Sequence, residues 1–443
     1  MELRDLIVTP FYLALIYVVA YGVRSRMTDE ITRRYFIPAL TVRIIGALAL
    51  GFIYDFYYQG GDTFSYHKFG SRHIWEAFMD SPATGLKLMF SDGVDQTGIY
   101  KYSSKILFFT DPSSYNVVRV AAVLDLFTFS TYSSTALLFA VFSFIGMWLF
   151  FTTFYKRYPE LHRWLALACF FIPSVFFWGS GLLKDTITLG CLGIATYAVS
   201  KLFIERKPTI KCAALLAGSL FGIFSIKVYI ILTFLPAVIV WVSMTYLDQL
   251  RSMSFKIITF PFIVTIAILL SYFAALKAGE GDEKYSLDKL ARTAQVTAYD
   301  IRYYTGKNAG SGYTLGELDG TFSSMIALAP QAVNVTLFRP YLWEVKNPFM
   351  LISSIESLGL FLFTLYVMYK KKLMLFRSVW QPDIFFSLTF SIAFAFAVGA
   401  STFNFGTLVR YKIPLMPFYF IALLLMLNQS NNDKKFDELE LTE

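Results

Sequence analysis

Charge is scarce in this 443-residue chain, and cysteine and histidine are scarcer still. Charged residues make up 16% of it, against roughly 25% in soluble domains. That deficit excludes an ordinary soluble protein. The three cysteines, Cys169, Cys191 and Cys212, all lie in apolar stretches, with no metal-ligand spacing and no disulfide pattern. The three histidines, His67, His73 and His162, are too scattered for a zinc motif. Redox and metal-centred chemistry are therefore disfavoured. No cofactor is expected, with a divalent cation left open.

What the chain has instead is apolar length. Hydrophobic residues make up 56% of it and aromatics 18%, and its mean hydropathy is +0.54. Repeated apolar stretches approach the roughly 20 residues that cross a bilayer as a helix. The expected fold is an all-α polytopic membrane protein. The net charge of +8 is spread between the apolar stretches. There it orients spans and meets lipid headgroups or anionic phosphates rather than nucleic acid. The first residues, Met-Glu-Leu-Arg-Asp, are not the basic start of a cleaved signal, so Leu6–Val23 reads as a retained span.

Hydropathy places the spans, and lysine and arginine in the short loops orient them. The loop with Arg24, Arg26, Arg33 and Arg34 is expected inside, so Phe36–Tyr58 returns outward. A long outer loop over 59–132 follows, with short amphipathic pieces that suit helices lying on the bilayer. Its piece Asn116–Phe129 is interfacial or re-entrant. Ser134–Phe154 comes back inward. The next block, Trp164–Phe203, is about 40 residues, twice a crossing, with basic flanks at both ends. It reads as a helical hairpin with Lys184 and Asp185 at its outer tip. Cys212–Leu247 reads as a second hairpin with Lys227 at its outer end. Ile257–Leu276 exits into a second outer loop over 277–346, glycine-rich at Gly306–Gly320. Met350–Tyr369, Ile384–Ala400 and Ile413–Leu427 complete about eleven spans. Residues 1–430 form one transmembrane domain, and 431–443 a short charged cytoplasmic tail, expected to be disordered. No internal repeat is evident.

This topology collects polar residues at the outer surface: Asp62, His67, Lys184, Asp185, Lys227, Asp300, Arg302, Arg339, Glu344, Arg410 and Lys412. Carboxylates beside several cations suit phosphate recognition combined with acid–base chemistry. Each also has a plainer reading. Lysine and arginine at span ends snorkel to headgroups, Asp185 pairs with Lys184, and Asp55 and Glu356 join helices by polar contacts. Arg43 is a further intramembrane charge, unusual enough to mark.

Four short motifs carry a family resemblance. Gly60-Gly-Asp62-Thr-Phe-Ser-Tyr66, after an early span, resembles the first outer loop of integral-membrane C-type glycosyltransferases. Pro173-Ser-Val-Phe-Phe-Trp178-Gly-Ser-Gly-Leu-Leu-Lys184-Asp185 looks like a segment of bacterial polysaccharide-assembly proteins. So do Phe338-Arg339-Pro-Tyr-Leu-Trp343-Glu344 and Arg410-Tyr-Lys-Ile-Pro414. The acidic turn follows the second span rather than the first, and no large C-terminal outer domain is present. O-antigen and exopolysaccharide polymerases look similar at this level.

The resemblance implies transfer of a sugar or glycan from a polyprenyl-phosphate or diphosphate donor at the outer face of a bacterial cytoplasmic membrane. The acceptor would be a glycan, lipid or protein. Asp62 would be the general base, and Tyr66 and His67 would shape the acceptor site. Lys184, Lys227, Arg339 and Arg410 would hold the lipid phosphate, with Asp185 and Lys412 beside them, and Glu344 would contact sugar hydroxyls. From another class, a transporter or flippase is suggested by the two hairpins and the intramembrane charges. Acyl transfer lacks a persuasive histidine within a span.

Overall fold

The structure is a computed structural model describing residues 2–248, 258–270, 273, 287–300, 311–316 and 319–440. Regular structure among these residues is helical, apart from an isolated antiparallel bridge between Gly312 and Asn404. The chain folds as two compact units: residues 1–202 with 208–227, and residues 203–207 with 228–443.

Unit 1 begins with the long helices α1 (Leu3–Met27) and α2 (Arg33–Phe52). Four short helices and one longer one follow: α3 (Asp62–Tyr66), α4 (Arg72–Asp80), α5 (Pro82–Met89), α6 (Tyr100–Ser103) and α7 (Pro112–Thr128), before α8 (Tyr132–Tyr155). Then come α9 (His162–Ala166), α10 (Pro173–Trp178), α11 (Lys184–Val199) and α12 (Ile210–Ile226). Residues 59–132 thus fold into small helices, as their broken amphipathic pattern predicts.

Helix α8 is apolar all round, the pattern of a helix enclosed by protein or lipid, and most of its residues are buried. It packs against α2 and α11. Phe36 and Phe144 meet Trp148 edge-on or tilted, and Phe170 stacks on it at 5.6 Å. Glycine lets α8 and α11 close up: a Cβ on Gly146 would collide with the Gly190 backbone. Among the described residues, four turns of π-helix interrupt the regular helices, at Ile53–Tyr57, His67–Ser71, Leu167–Phe171 and Ser200–Ile204.

Unit 2 comprises α13 (Val228–Asp248), α14 (Ile258–Leu270), α15 (Leu287–Asp300), α16 (Phe322–Ala327), α17 (Ala329–Phe338), α18 (Pro348–Lys371), α19 (Met374–Val379), α20 (Pro382–Thr402), α21 (Phe405–Tyr411) and α22 (Leu415–Glu440). Its core lies between α13, α20 and α22, where Trp241 stacks face to face on Phe386 at 4.1 Å and Phe390 packs on Phe418 at 4.5 Å. Asp383, buried beneath, accepts a 2.7 Å hydrogen bond from the Trp241 indole.

Seven described helices are long and apolar enough to cross a membrane, and α21 with α22, bent by 65°, make an eighth if they form one span. The chain is an α-helical, multi-pass membrane protein in this sense. The remaining expected crossings fall on shorter pieces. Trp164–Trp178 is divided at Ile172–Pro173 into α9 and α10, and α12 and α14 are short apolar helices. Apolar composition carries on through such breaks, so hydropathy alone does not register them.

Candidate functional site

The chain leaves α2 through the π-turn at Ile53–Tyr57 and reverses at Gln59-Gly60-Gly61, where φ is +54°, +143° and +127°. Glycine alone takes the last two without strain. Gly61 also lies against the Tyr54 ring, where a Cβ would collide. Helix α3 starts at once with Asp62, which is partly exposed. The next residues are locked from behind: Thr63 hydrogen-bonds Tyr132 Oη at 2.8 Å, and the Phe64 ring packs on Tyr132 at 4.4 Å. The carboxylate therefore sits on a fixed backbone.

A second constellation forms where α11 begins. The preceding turn, Gly179–Leu183, is wholly buried, and it delivers Lys184 and Asp185 as the first residues of the helix. Asp185 is buried and ion-paired with Lys227, itself buried at the C-terminal end of α12. An acid in a first helical turn and a cation past a last one are each favoured by the helix dipole. So the pair is supported by both helices as well as by its own charges.

Lys184 is 17% exposed. Its ammonium donates to Ser113 Oγ at 2.7 Å and lies 3.7 Å from Asp111 Oδ2. Asp111 caps α7, accepting from Ser113 N at 3.2 Å and from Ser114 Oγ at 2.5 Å. Burial works to raise its pKa, but the Ser114 hydroxyl, the Lys184 charge and Ser113 outweigh it and hold the carboxyl below its usual range. Lys184 is within electrostatic reach of Asp111, Lys227, Asp62 and Asp185. Unit 1 thus gathers three acids and two lysines at the ends of α3, α7, α11 and α12. Such a set can neutralise an anion while keeping a carboxylate ionised beside it.

Unit 2 has its own charged cluster. Arg339, at the end of α17, binds Glu344 through Nε at 3.1 and 3.0 Å and again through Nη2. Glu344 also accepts the Tyr341 amide at 2.8 Å. Its carboxyl is held below its usual range because Arg339 and that amide outweigh the effect of burial. The guanidinium lies 5.2–5.8 Å from the rings of Phe405, Tyr341 and Tyr313, within cation–π range. Burial pushes the Tyr313 phenol up to about 12. Lys412, at the bend between α21 and α22, is fully buried and donates to Ser357 Oγ at 2.9 Å, and Ser357 in turn donates to the Arg339 carbonyl at 3.1 Å.

No family model, curated protein or solved structure matches this chain. Function has to be argued from the geometry.

Of the residues marked from the sequence, Asp62, Lys184, Asp185 and Lys227 come together in unit 1. Arg339, Glu344, Arg410 and Lys412 belong to unit 2, where Arg410 is buried with its guanidinium 5.9 Å from the Tyr411 ring. Tyr66 and His67 turn into the interior. Tyr66 is buried against Phe108, and His67 is fully buried, 3.5 Å from Asp125 and edge-on to Tyr132. Asp300 ends α15, and Arg302 lies outside the described residues.

Asp111 and Asp125 were not marked from the sequence. Asp111 stands before Pro112, and an acid followed by proline at a helix start is a readable cap signal. Asp125 gave no such signal: it accepts from Ser71 and Thr135, 54 and 10 residues away, each at 2.6 Å.

Proposed function

We propose that this protein is a membrane glycosyltransferase. It takes a sugar or glycan from a polyprenyl-phosphate or diphosphate donor at the outer face of a bacterial cytoplasmic membrane. Asp62 is the general base. It removes the proton of an acceptor hydroxyl as that oxygen attacks the anomeric carbon. The bond from that carbon to the phosphate oxygen breaks, and the electron pair leaves with the lipid phosphate. Lys184 meets the growing negative charge, and the Asp185–Lys227 pair holds Lys184 in place from below. Attack opposite to the departing phosphate inverts the configuration. In this reading the short helices α9, α10, α12 and α14 complete about eleven crossings, which puts the ends of α2, α10, α11 and α12 at the outer face.

The observation that carries the reading is the partly exposed Asp62 within electrostatic reach of Lys184. A fixed base next to a cation is what transfer from a phosphate leaving group requires. The test is sugar transfer by the purified protein in lipid vesicles, using polyprenyl-phosphate and diphosphate donors. Asp62→Asn is expected to lower turnover about 100-fold or more, and a folded variant with full activity would remove Asp62 from the role.

One observation favours a second reading, transport of an anionic or lipid-linked substrate: the 65° break between α21 and α22, with Lys412 at the bend. Broken helices at membrane depth line transport sites. Substrate movement across vesicles without transfer would favour this alternative.

A further inference from the structure

Arg43 sits in the middle of α2 and is fully buried. A guanidinium carries five N–H donors and keeps its charge. In a membrane interior such a group needs either a counter-ion or a set of dipoles turned towards it. Arg43 uses dipoles. Its Nη1 donates to the carbonyls of Val175 at 3.0 Å and Gly179 at 2.8 Å, and to Ser143 Oγ at 3.2 Å. The two carbonyls come from the last turn of α10 and the residue that follows it.

The last carbonyls of any helix lack partners within that helix, and in lipid there is no water to supply them. Here side chains supply donors to four of the oxygens in and after the last turn. Arg43 takes Val175 and Gly179, Ser180 Oγ donates to Phe176, and Thr186 Oγ1 donates to Gly181 at 2.6 Å. A positive charge at a helix C-terminus also faces the negative end of its dipole. The turn that Arg43 closes runs directly into Lys184 and Asp185.

We propose that Arg43 is a positioning residue: it clamps the end of α10 and so fixes the buried Gly179–Leu183 turn that sets Lys184 and Asp185 at the start of α11. Its consequence for substrate rests on the glycosyl-transfer reading, while its consequence for the turn does not. Lysine is a poor substitute, because an ammonium is more strongly hydrated than a guanidinium and costs more to bury at this fully enclosed position.

The test uses the full chain in lipid nanodiscs with Arg43→Met, Arg43→Lys and Gly179→Ala. The last attacks the clamp from the other side, since a Cβ there would strike Arg43 Nη1, and it serves if the Arg43 variants do not fold. Hydrogen exchange at Phe176–Lys184 is expected to quicken about tenfold or more in each variant, following the loss of one or two hydrogen bonds to a charged donor. Exchange in α20 and α22 is expected to stay unchanged. With a polyprenyl-phosphate donor, the donor KM rises about tenfold while the acceptor KM holds.

Exchange at the turn within twofold of wild type, or equal quickening in unit 2, would overturn the proposal. So would a loosened turn with an unchanged donor KM. A loosened turn in a protein whose wild type transfers no sugar supports the clamp and removes the glycosyl-transfer reading instead.

Discussion

In unit 1 the buried lysine Lys227 meets the carboxylate of Asp185, whereas in unit 2 the buried lysine Lys412 donates to the hydroxyl of Ser357. The arginines differ in the reverse sense. Arg43 of unit 1 is held by two carbonyls and a hydroxyl, and Arg339 of unit 2 by a carboxylate and a ring of aromatics. In each unit, then, one cation faces an opposite charge and another faces neutral dipoles. A neutral set binds in directions fixed by backbone geometry, so it anchors a segment. An ion pair tolerates more movement but fails badly when one partner is removed. Arg43 anchors the Gly179–Leu183 turn in this way, and Lys412 reaches the Arg339 carbonyl through Ser357.

The sharpest way to break this contrast is Asp185→Ala, which leaves Lys227 buried without its carboxylate. Stability is expected to fall by about 3–5 kcal/mol, measured by thermal unfolding in detergent. The double variant Asp185→Ala with Lys227→Met should recover much of that loss. If it does not, charge compensation is not the reason for the pair. Next comes Gly146→Val, which forces α8 and α11 apart and should cost about 3 kcal/mol by overpacking. Unfolding of unit 1 before unit 2, followed by hydrogen exchange, would show that the effect stays local.

A smaller effect, about 2 kcal/mol, is expected for Glu344→Gln, since Arg339 loses a charged acceptor but keeps its rings. The Glu344 carboxyl is held below its ordinary 4.5, so the pair stabilises the fold fully above that value. The contribution fades as pH falls below 4.5 and is gone once the lowered folded value is passed. Asp111 in unit 1 behaves alike from its ordinary 3.8. On acidification the stability due to Glu344 should therefore begin to fall at a higher pH than that due to Asp111, read from the pH dependence of unfolding in Glu344→Gln and Asp111→Asn variants against wild type. The smallest effect is Ser357→Ala, about 1 kcal/mol. It should loosen Arg339 while leaving the Lys184 turn untouched, and a change at that turn would contradict the separation of the two anchors.

Much of the fold could be read from the sequence because a membrane helix is defined by composition. α1, α2, α8, α11, α13, α18 and α20 all coincide with apolar runs. Lys184 and Asp185 were found because Gly-Ser-Gly interrupts such a run, and Lys227 because it is a lone charge in one. Their partners were hidden for a simple reason. Asp185 and Lys227 are 42 residues apart, and Lys184 and Ser113 are 71 apart. Contacts at those separations are set by packing, and no local pattern encodes them. His67 shows the opposite error. A polar residue near a glycine turn suggested a surface role, but it follows α3 by a single residue and turns into the core against Asp125.

The π-turns have a consequence of their own. Each one is a residue more than a regular helix requires, and one residue turns everything beyond it by about 100° around the helix axis. Asp62 lies between two such insertions, Ile53–Tyr57 before it and His67–Ser71 after it. The first insertion therefore sets the face on which α2 hands the chain to the Gln59–Gly61 reversal, and the Tyr132 contacts of Thr63 and Phe64 then hold α3 where that reversal leaves it. Deleting one residue from Ile53–Tyr57 would shorten the second span by a single residue, yet turn its exit by about 100° and pull α3 against its anchor on Tyr132.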